Sequence, residues 1–180
     1  MANHAVLIAN KVEAKNVDAR LRPAISASPI DNGNIFVLDQ KTGVTGEGEV
    51  WLCTAPSSAS QTRLWMACEP EISFATAGDN IYSGLGNIQD FYTSACKVFT
   101  ALRLEPNVDI ITLTAEAFDS ASPLAYAVPD PAGNYKWKWS AAPSTGECLK
   151  YIKTTYIPCA SGSEIGVGRI SAFELAAYKA

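Results

Sequence analysis

The single histidine is the first residue to consider for catalysis. His4 lies close to the start of a chain of 180 residues. A Ser-His-Asp triad or a Cys-His pair needs an imidazole as its base, and we expect this one to be solvent-exposed in a mobile N-terminus. The five cysteines are widely spaced and contain no Cys-X-X-Cys pair. That spacing predicts reduced, mostly buried thiols and no metal site.

Two pairs of carboxylates are the next candidates for chemistry. Glu47 with Glu49, and Glu69 with Glu71, are spaced by two residues. On a strand this spacing puts both side chains on one face, and a glycosidase could use such a pair across a cleft. Each pair lies beside turn residues, however, where solvated charges are the favoured interpretation.

The glycine-rich segments 43–48, 84–86 and 162–168 do not match a phosphate-binding loop. None of them is followed by the Gly-Lys-Ser/Thr sequence that such a loop needs. Turns and β-bulges account for glycines in a chain of this kind. We therefore predict that the protein is not an enzyme and that it holds no cofactor and no metal.

One aromatic stripe allows two different interpretations. Tyr135, Trp137 and Trp139 alternate with Lys136 and Lys138. Exposed aromatic rings on a sheet can stack on sugars, whereas alternation with lysine is typical of a half-buried strand. The alternation favours a core or subunit-interface position, and glycan stacking stays open as the alternative.

The charge pattern argues against nucleic acid as a partner. The chain has 14 Lys and Arg against 18 Asp and Glu, a net charge of −4 at pH 7. The basic residues are scattered, so we predict no nucleic-acid binding.

No apolar run approaches the roughly 20 residues of a membrane helix, so we predict no membrane partner. The N-terminus lacks a signal-peptide pattern, and we expect synthesis in a cytosol.

From residue 34 to residue 180 the pattern is one of short strands separated by turn residues. Lys97–Glu105 and Asp109–Ala115 are separated by a Pro-Asn turn and predict one hairpin; Leu124–Val128 and Tyr135–Ser140 predict another. Val167–Phe173 alternates and favours a final strand. About eight to ten short antiparallel strands predict an all-β fold, either a β-barrel or a β-sandwich.

Residues 1–33 differ from this body. In the stretch 14–34 the apolar residues are isolated, and Pro23 and Pro29 oppose both a helix and a central strand. We expect an extended N-terminal arm, which could span about 100 Å, next to a body at 34–180. An arm of this kind gains stability by lying on a partner, although packing on its own barrel stays open. The candidate anchors and charged contacts are Val12, Val17, Arg20, Leu21, Arg22 and Ile25.

This layout resembles a family of phage structural proteins. The resemblance is carried by Asn34-Ile-Phe-Val-Leu, by Lys97-Val-Phe-Thr-Ala-Leu-Arg-Leu, by Asp109-Ile-Ile-Thr-Leu-Thr-Ala-Glu-Ala-Phe118 and by the closing run Gly166–Leu175. The chain from Asn34 onward is similar to head decoration proteins, also called capsid cement proteins, of tailed bacteriophages. The resemblance is one of layout and includes no signature residue.

The resemblance implies a function. The protein would be a virion component made in the bacterial cytoplasm, where it would bind the outer surface of a phage head and bridge major capsid protein subunits. Self-association around a capsid symmetry axis is also implied, with a homotrimer as the expected state. Two other functions remain open. One is a phage tail, neck or fibre component, and the other is a carbohydrate-binding β-sandwich that uses Tyr135, Trp137 and Trp139.

Overall fold

The structure is a computed structural model that describes residues 3–13, 18–41, 49–70, 74–77, 80–83, 88–132, 135–161 and 164–180. The described residues are almost entirely β-structure, which confirms the predicted fold class. The strands are β1 (Leu7–Lys11), β2 (Leu21–Ile25), β3 (Ile35–Lys41), β4 (Trp51–Thr54), β5 (Trp65–Ala67), β6 (Phe74–Ala77), β7 (Asn80–Ser83), β8 (Val98–Leu102), β9 (Ile110–Thr114), β10 (Tyr126–Pro129), β11 (Trp137–Ser140), β12 (Glu147–Ser161) and β13 (Glu164–Lys179). Single 3-10 turns lie at Asp18–Arg20, Ile88–Asp90 and Ala115–Ala117.

The strands form two main sheets. One is a six-stranded antiparallel sheet in the order β1-β9-β13-β12-β10-β11, and the other is a closed barrel in the order β2-β4-β3-β5-β8. Strands β6 and β7 pair with each other. All pairs in the barrel are antiparallel except β2 with β4, which is parallel. The structure therefore combines the two predicted architectures, a barrel and a second sheet packed against it.

The largest hydrophobic cluster lies between the barrel and the six-stranded sheet. Met66 and Leu102 come from the barrel, and Leu113, Phe173 and Leu175 come from the sheet. All five side chains are at most 2% exposed. Truncating a large side chain in such a core typically costs about 2–5 kcal/mol, so this cluster holds the two sheets together.

The N-terminal residues are part of both sheets, and this corrects the prediction of a separate arm at 1–33. Strand β1 pairs with β9, with Leu7 opposite Leu113. Strand β2 closes the barrel between β4 and β8. The buried side chains of this segment include Val6, just before β1, Leu7 of β1 and Ala24 of β2.

Pro23 sits inside β2, where the sequence opposed a central strand. It faces Thr100 of β8. The backbone groups of Thr100 point the other way, because its N–H donates to the Glu69 carboxylate and its carbonyl accepts the Cys68 N–H. The pair is therefore a non-hydrogen-bonded one, in which the missing N–H of proline costs no bond. Pairing with β4 begins one residue later, at Ala24.

The turn predicted at Asp31-Asn32-Gly33 positions β3 against the sheet. Gly33 has φ +85°, in the left-handed region that favours glycine. A Cβ at this position would overlap the side chain of Leu113. Glycine is therefore required both for the turn and for the close approach between barrel and sheet.

One of the two predicted hairpins is confirmed. Strands β10 and β11 pair antiparallel from Tyr126 with Ser140 to Pro129 with Trp137. The predicted hairpin of β8 and β9 is wrong, because β8 belongs to the barrel and β9 to the six-stranded sheet. Asn107, with φ +66°, lies in the connection that carries the chain from one sheet to the other. The final strand is confirmed and is longer than predicted.

Candidate functional site

The predicted partner-binding residues of the N-terminus do not form a docking surface. Val12 is buried in the main hydrophobic cluster, and Leu21 packs against it. Ile25 and Arg22 are half-buried in β2. Val17 lies outside the described residues. The packing of Val12 and Leu21 in this chain's own core corrects the assignment of these two residues to a partner.

Arg20 is held by carboxylates of its own chain. Its guanidinium lies 2.6 Å from a Glu105 oxygen and 3.7 Å from the Asp109 carboxylate. Asp109 is fully buried and accepts the backbone N–H groups of Glu13 and Glu105. Because a buried carboxylate needs such donors, this cluster fixes the segment before β2 to the β8–β9 connection.

The two tryptophans of the aromatic stripe are core residues. Trp137 and Trp139 are 3% and 6% exposed, and their indole N–H groups donate to the carbonyl oxygens of Gly33 and Ser120. Trp139 stacks on Phe118 with ring centroids 4.4 Å apart. Neither ring has a face to offer a sugar, so the glycan-stacking interpretation is wrong for both.

Tyr135 is not on the same strand face as the tryptophans. It precedes β11 with φ +71°, packs against the barrel cluster, and its carbonyl accepts the N–H of Ile35. It therefore links the start of β11 to the barrel.

His4 is partly buried and is held by contacts within its own chain. Its Nδ1 lies 2.7 Å from Asp31, its ring stacks on Tyr92 at 4.5 Å, and its backbone N–H donates to Gln89. These contacts attach the N-terminal segment to the β2–β3 connection and to the 3-10 turn at Ile88–Asp90.

The carboxylate pairs are only partly within the described residues. Glu47 and Glu71 lie outside them. Glu49 is exposed and pairs with Lys41 at 2.9 Å, while Glu69 accepts the N–H of Thr100. Both described members thus serve local structural contacts.

Burial governs the thiols whose pKa values are shifted. It raises the pKa of Cys53 to about 12 and also raises the pKa of Cys148. Since the thiolate is the nucleophile, both are unreactive near neutral pH. Cys68 is half-buried and Cys96 exposed. The side chain of Cys159 is outside the described residues.

The barrel has an open mouth at one end. Its interior is filled by a cluster that includes Phe36 and Phe99. Residues further along these strands and in their connections line a cavity of about 780 Å³. The lining consists of Arg22, Val37, Leu38, Asp39, Trp51, Gln61, Thr62, Arg63, Trp65 and Arg103. Sequence reasoning missed this site because the residues come from four of the five barrel strands and from the connections between strands. We call it the barrel mouth.

The barrel mouth concentrates arginine and tryptophan. Arg103 bonds to Glu147 at 3.0 Å, and Arg22 donates to the Leu21 carbonyl. Arg63 is exposed on the rim, where its φ is +58°. Lys41 lies 5.7 Å above the ring of Trp51. The site is therefore basic and aromatic on a chain with a net charge of −4.

The second candidate site is the outer part of the hairpin of β12 and β13. Strand β10 pairs with β12 only up to Lys150, and β9 pairs with β13 only from Ala172 onward. Beyond these residues the two strands continue to pair with each other, out to Ser161 with Glu164. We call residues 156–171 the ribbon.

Comparisons with protein families, with curated proteins and with solved structures returned no match. The candidate sites therefore rest on the geometry of this chain. The part of the chain that the structure describes holds no cluster of three or more potential metal ligands. In the same residues, no helix has the length and apolar character to span a membrane.

Proposed function

We propose that the protein is a structural component of a bacteriophage particle, a decoration protein on the outer surface of the head. It would bridge major capsid subunits and associate with itself, with a homotrimer as the expected state. Two things support the proposal. One is the resemblance of the strand layout to capsid cement proteins, and the other is the ribbon, whose two edges have no neighbour among the described strands.

The edges of the ribbon carry the proposal. Beyond Lys150 on β12, and before Ala172 on β13, no other described strand pairs with the hairpin. Backbone N–H and C=O groups along such edges can add a strand from another chain. The bridging role, expected of an arm at 1–33, is thus assigned to a C-terminal element.

The side chains at the base of the ribbon suit this role. Ile157 and Ile170 pack with Val6 in a small cluster of their own, which anchors one face. On the other face Tyr156 is 59% exposed, and Ile152, nearby on β12, is 44% exposed. Exposed tyrosine and isoleucine beside an open strand edge are typical of a contact surface.

Stabilisation of a head would follow from mass action. A ligand that binds the assembled shell and not its separate subunits raises the stability of the shell. Weak contacts repeated over a symmetric lattice add up to high avidity. A chain of this size can bridge subunits without any catalytic group.

The test is the location of the protein on particles. The reading frames beside its gene are identified first, and antibodies raised against the recombinant chain are then applied to particles for gold-labelling electron microscopy. Gold over the heads, together with a neighbouring major capsid gene, supports the proposal. Gold confined to tails or necks would replace it with a tail component, and unlabelled particles would overturn it.

A further inference from the structure

The barrel mouth is a second surface that the bridging role leaves unused. A closed barrel has no open strand edge, so a partner can reach it only through side chains. The mouths of β-barrels are common binding sites. The side chains that line the barrel mouth determine which kind of partner it can bind.

The charges of the barrel mouth favour an anionic partner. Three arginines line it against the single carboxylate of Asp39, and the charge of Arg103 is shared with Glu147. Arg63 stands exposed on the rim with no carboxylate among the described residues in contact with it. On a chain with a net charge of −4, this is a local basic region where a guanidinium can bind carboxylates in bidentate fashion.

The tryptophans favour a partner with an extended backbone and flat apolar groups. Trp51 and Trp65 are both half-buried, and each therefore keeps part of its indole accessible in the cavity. Aromatic-lined grooves bind proline-containing peptides, whose extended conformation is largely formed before binding. Carboxylates would then meet the arginines while proline rings pack on the indoles.

We propose that the barrel mouth binds an extended, acidic, proline-containing peptide segment of a partner protein. The site lies within one chain, so it would bind such a segment whichever assembly the protein belongs to. If the protein decorates phage heads, the segment would belong to a neighbouring capsid protein. Arg63 supplies the accessible charge, and Trp51 and Trp65 supply the packing surface.

The experiment is a titration of the full chain with three acetylated octapeptides made of Glu-Pro, Gln-Pro or Lys-Pro repeats. Indole N–H resonances report on the mouth, because Trp51 and Trp65 would shift while the buried Trp137 and Trp139 would not. The Glu-Pro peptide is expected to bind at least about tenfold more tightly than the Gln-Pro peptide, since a hydrogen bond to a charged group is worth about 1.5–3 kcal/mol. The Lys-Pro peptide is expected not to bind.

Matched variants separate the mouth from general charge effects. Arg63→Gln should weaken Glu-Pro binding about fivefold or more, whereas Arg169→Gln, at an exposed arginine of the ribbon, should leave it unchanged. Both variants keep the fold because both side chains are exposed. Equal loss in the two variants, equal binding of the Glu-Pro and Gln-Pro peptides, shifts at Trp137 in place of Trp51, or tighter binding of oligothymidylate would each overturn the proposal.

Discussion

The barrel and the six-stranded sheet solve the problem of open strand edges in opposite ways. The barrel closes on itself, so every one of its strands has two neighbours. The two central strands of the sheet, β13 and β12, continue as a long hairpin whose outer part has no further strand beside it among the described residues. Edges that remain open can template pairing with another chain, while closure removes that possibility. The two proposed contacts with other proteins therefore take different forms: strand edges in the ribbon and side chains in the barrel mouth.

The interiors of the two regions differ as well. Small residues fill much of the barrel, where Ala24, Ala67 and Ala101 surround an edge-to-face pair of Phe36 and Phe99. The sheet packs large aromatic rings against the outside of the barrel, with Phe173 as the centre of several ring contacts. The barrel thus holds the smaller of these two clusters, and the interlayer core holds the larger one.

The largest effect is expected from shortening the ribbon. Replacing residues 159–168 by Asn-Gly would join Pro158 to Arg169, which already face each other, through a favoured two-residue turn. We expect complete loss of self-association in sedimentation experiments and of head binding, with a change in stability below about 1 kcal/mol. Val98→Ser, at an exposed position of the barrel, is the control and should keep both. Retained assembly in the shortened chain would remove the ribbon from the proposed function.

The second largest effect is expected for a substitution in the interlayer core, which tests whether the barrel and the sheet unfold together. Phe173→Ala should lower the free energy of unfolding by about 3–5 kcal/mol, because it opens a cavity in the interlayer core. Fluorescence and circular dichroism transitions in urea should stay coincident if the two regions form one cooperative unit. Two separated transitions would show that the barrel folds alone. Leu124→Ala, at a side chain that is 47% exposed, should change stability by less than about 0.5 kcal/mol.

A smaller effect is expected at the polar contact between the regions. Glu147, at the start of β12, accepts a hydrogen bond from Arg103 and another from the N–H of Leu64. Glu147→Gln keeps the shape but removes the charge, and it should cost about 2 kcal/mol. The urea midpoint of the variant checks this value. Lys138→Gln, on the exposed face of β11, serves as the comparison and should leave the midpoint unchanged.

The smallest effect is expected in the pH dependence of stability, through Glu174 of β13. Hydrogen bonds from Lys11 and Lys153 lower the pKa of Glu174 below its ordinary value of 4.5. A lowered folded pKa stabilises the protein above pH 4.5, and this stabilisation is lost as the pH falls through the folded value. The free energy of unfolding of wild type should therefore decline on acidification more steeply than that of Glu174→Gln. Parallel curves for the two proteins would contradict the assignment.

Local patterns predicted much of the fold. Alternation of apolar and polar residues predicted the all-β class, the final strand and the hairpin of β10 and β11, because each of these depends on neighbours in sequence. The errors involve distant partners. The β8–β9 hairpin was inferred from a turn signal, yet the two strands pair with elements far away in the chain. Pro23 argued against a strand, because the sequence does not reveal that its nitrogen would face away from β8.

The aromatic stripe, the barrel mouth and the ribbon also differ in whether local sequence or distant partners determine them. The aromatic stripe was visible in the sequence, and its burial followed from alternation with lysine. The barrel mouth was not visible, since Arg22, Trp51 and Arg63 are far apart along the chain and meet only when the barrel closes. The ribbon was visible as strands, but its open edges depend on where β9 and β10 stop pairing.

The sequence by itself determined that this chain forms short strands with alternate buried side chains, because strand period and turn residues are local properties. Tertiary structure alone decided that the first thirty-three residues contribute strands to both sheets. It also decided which residues line the barrel mouth and which hairpin extends beyond its neighbouring strands. Pairing partners are chosen by the fit of whole surfaces across the molecule, and that fit is not encoded in any single segment.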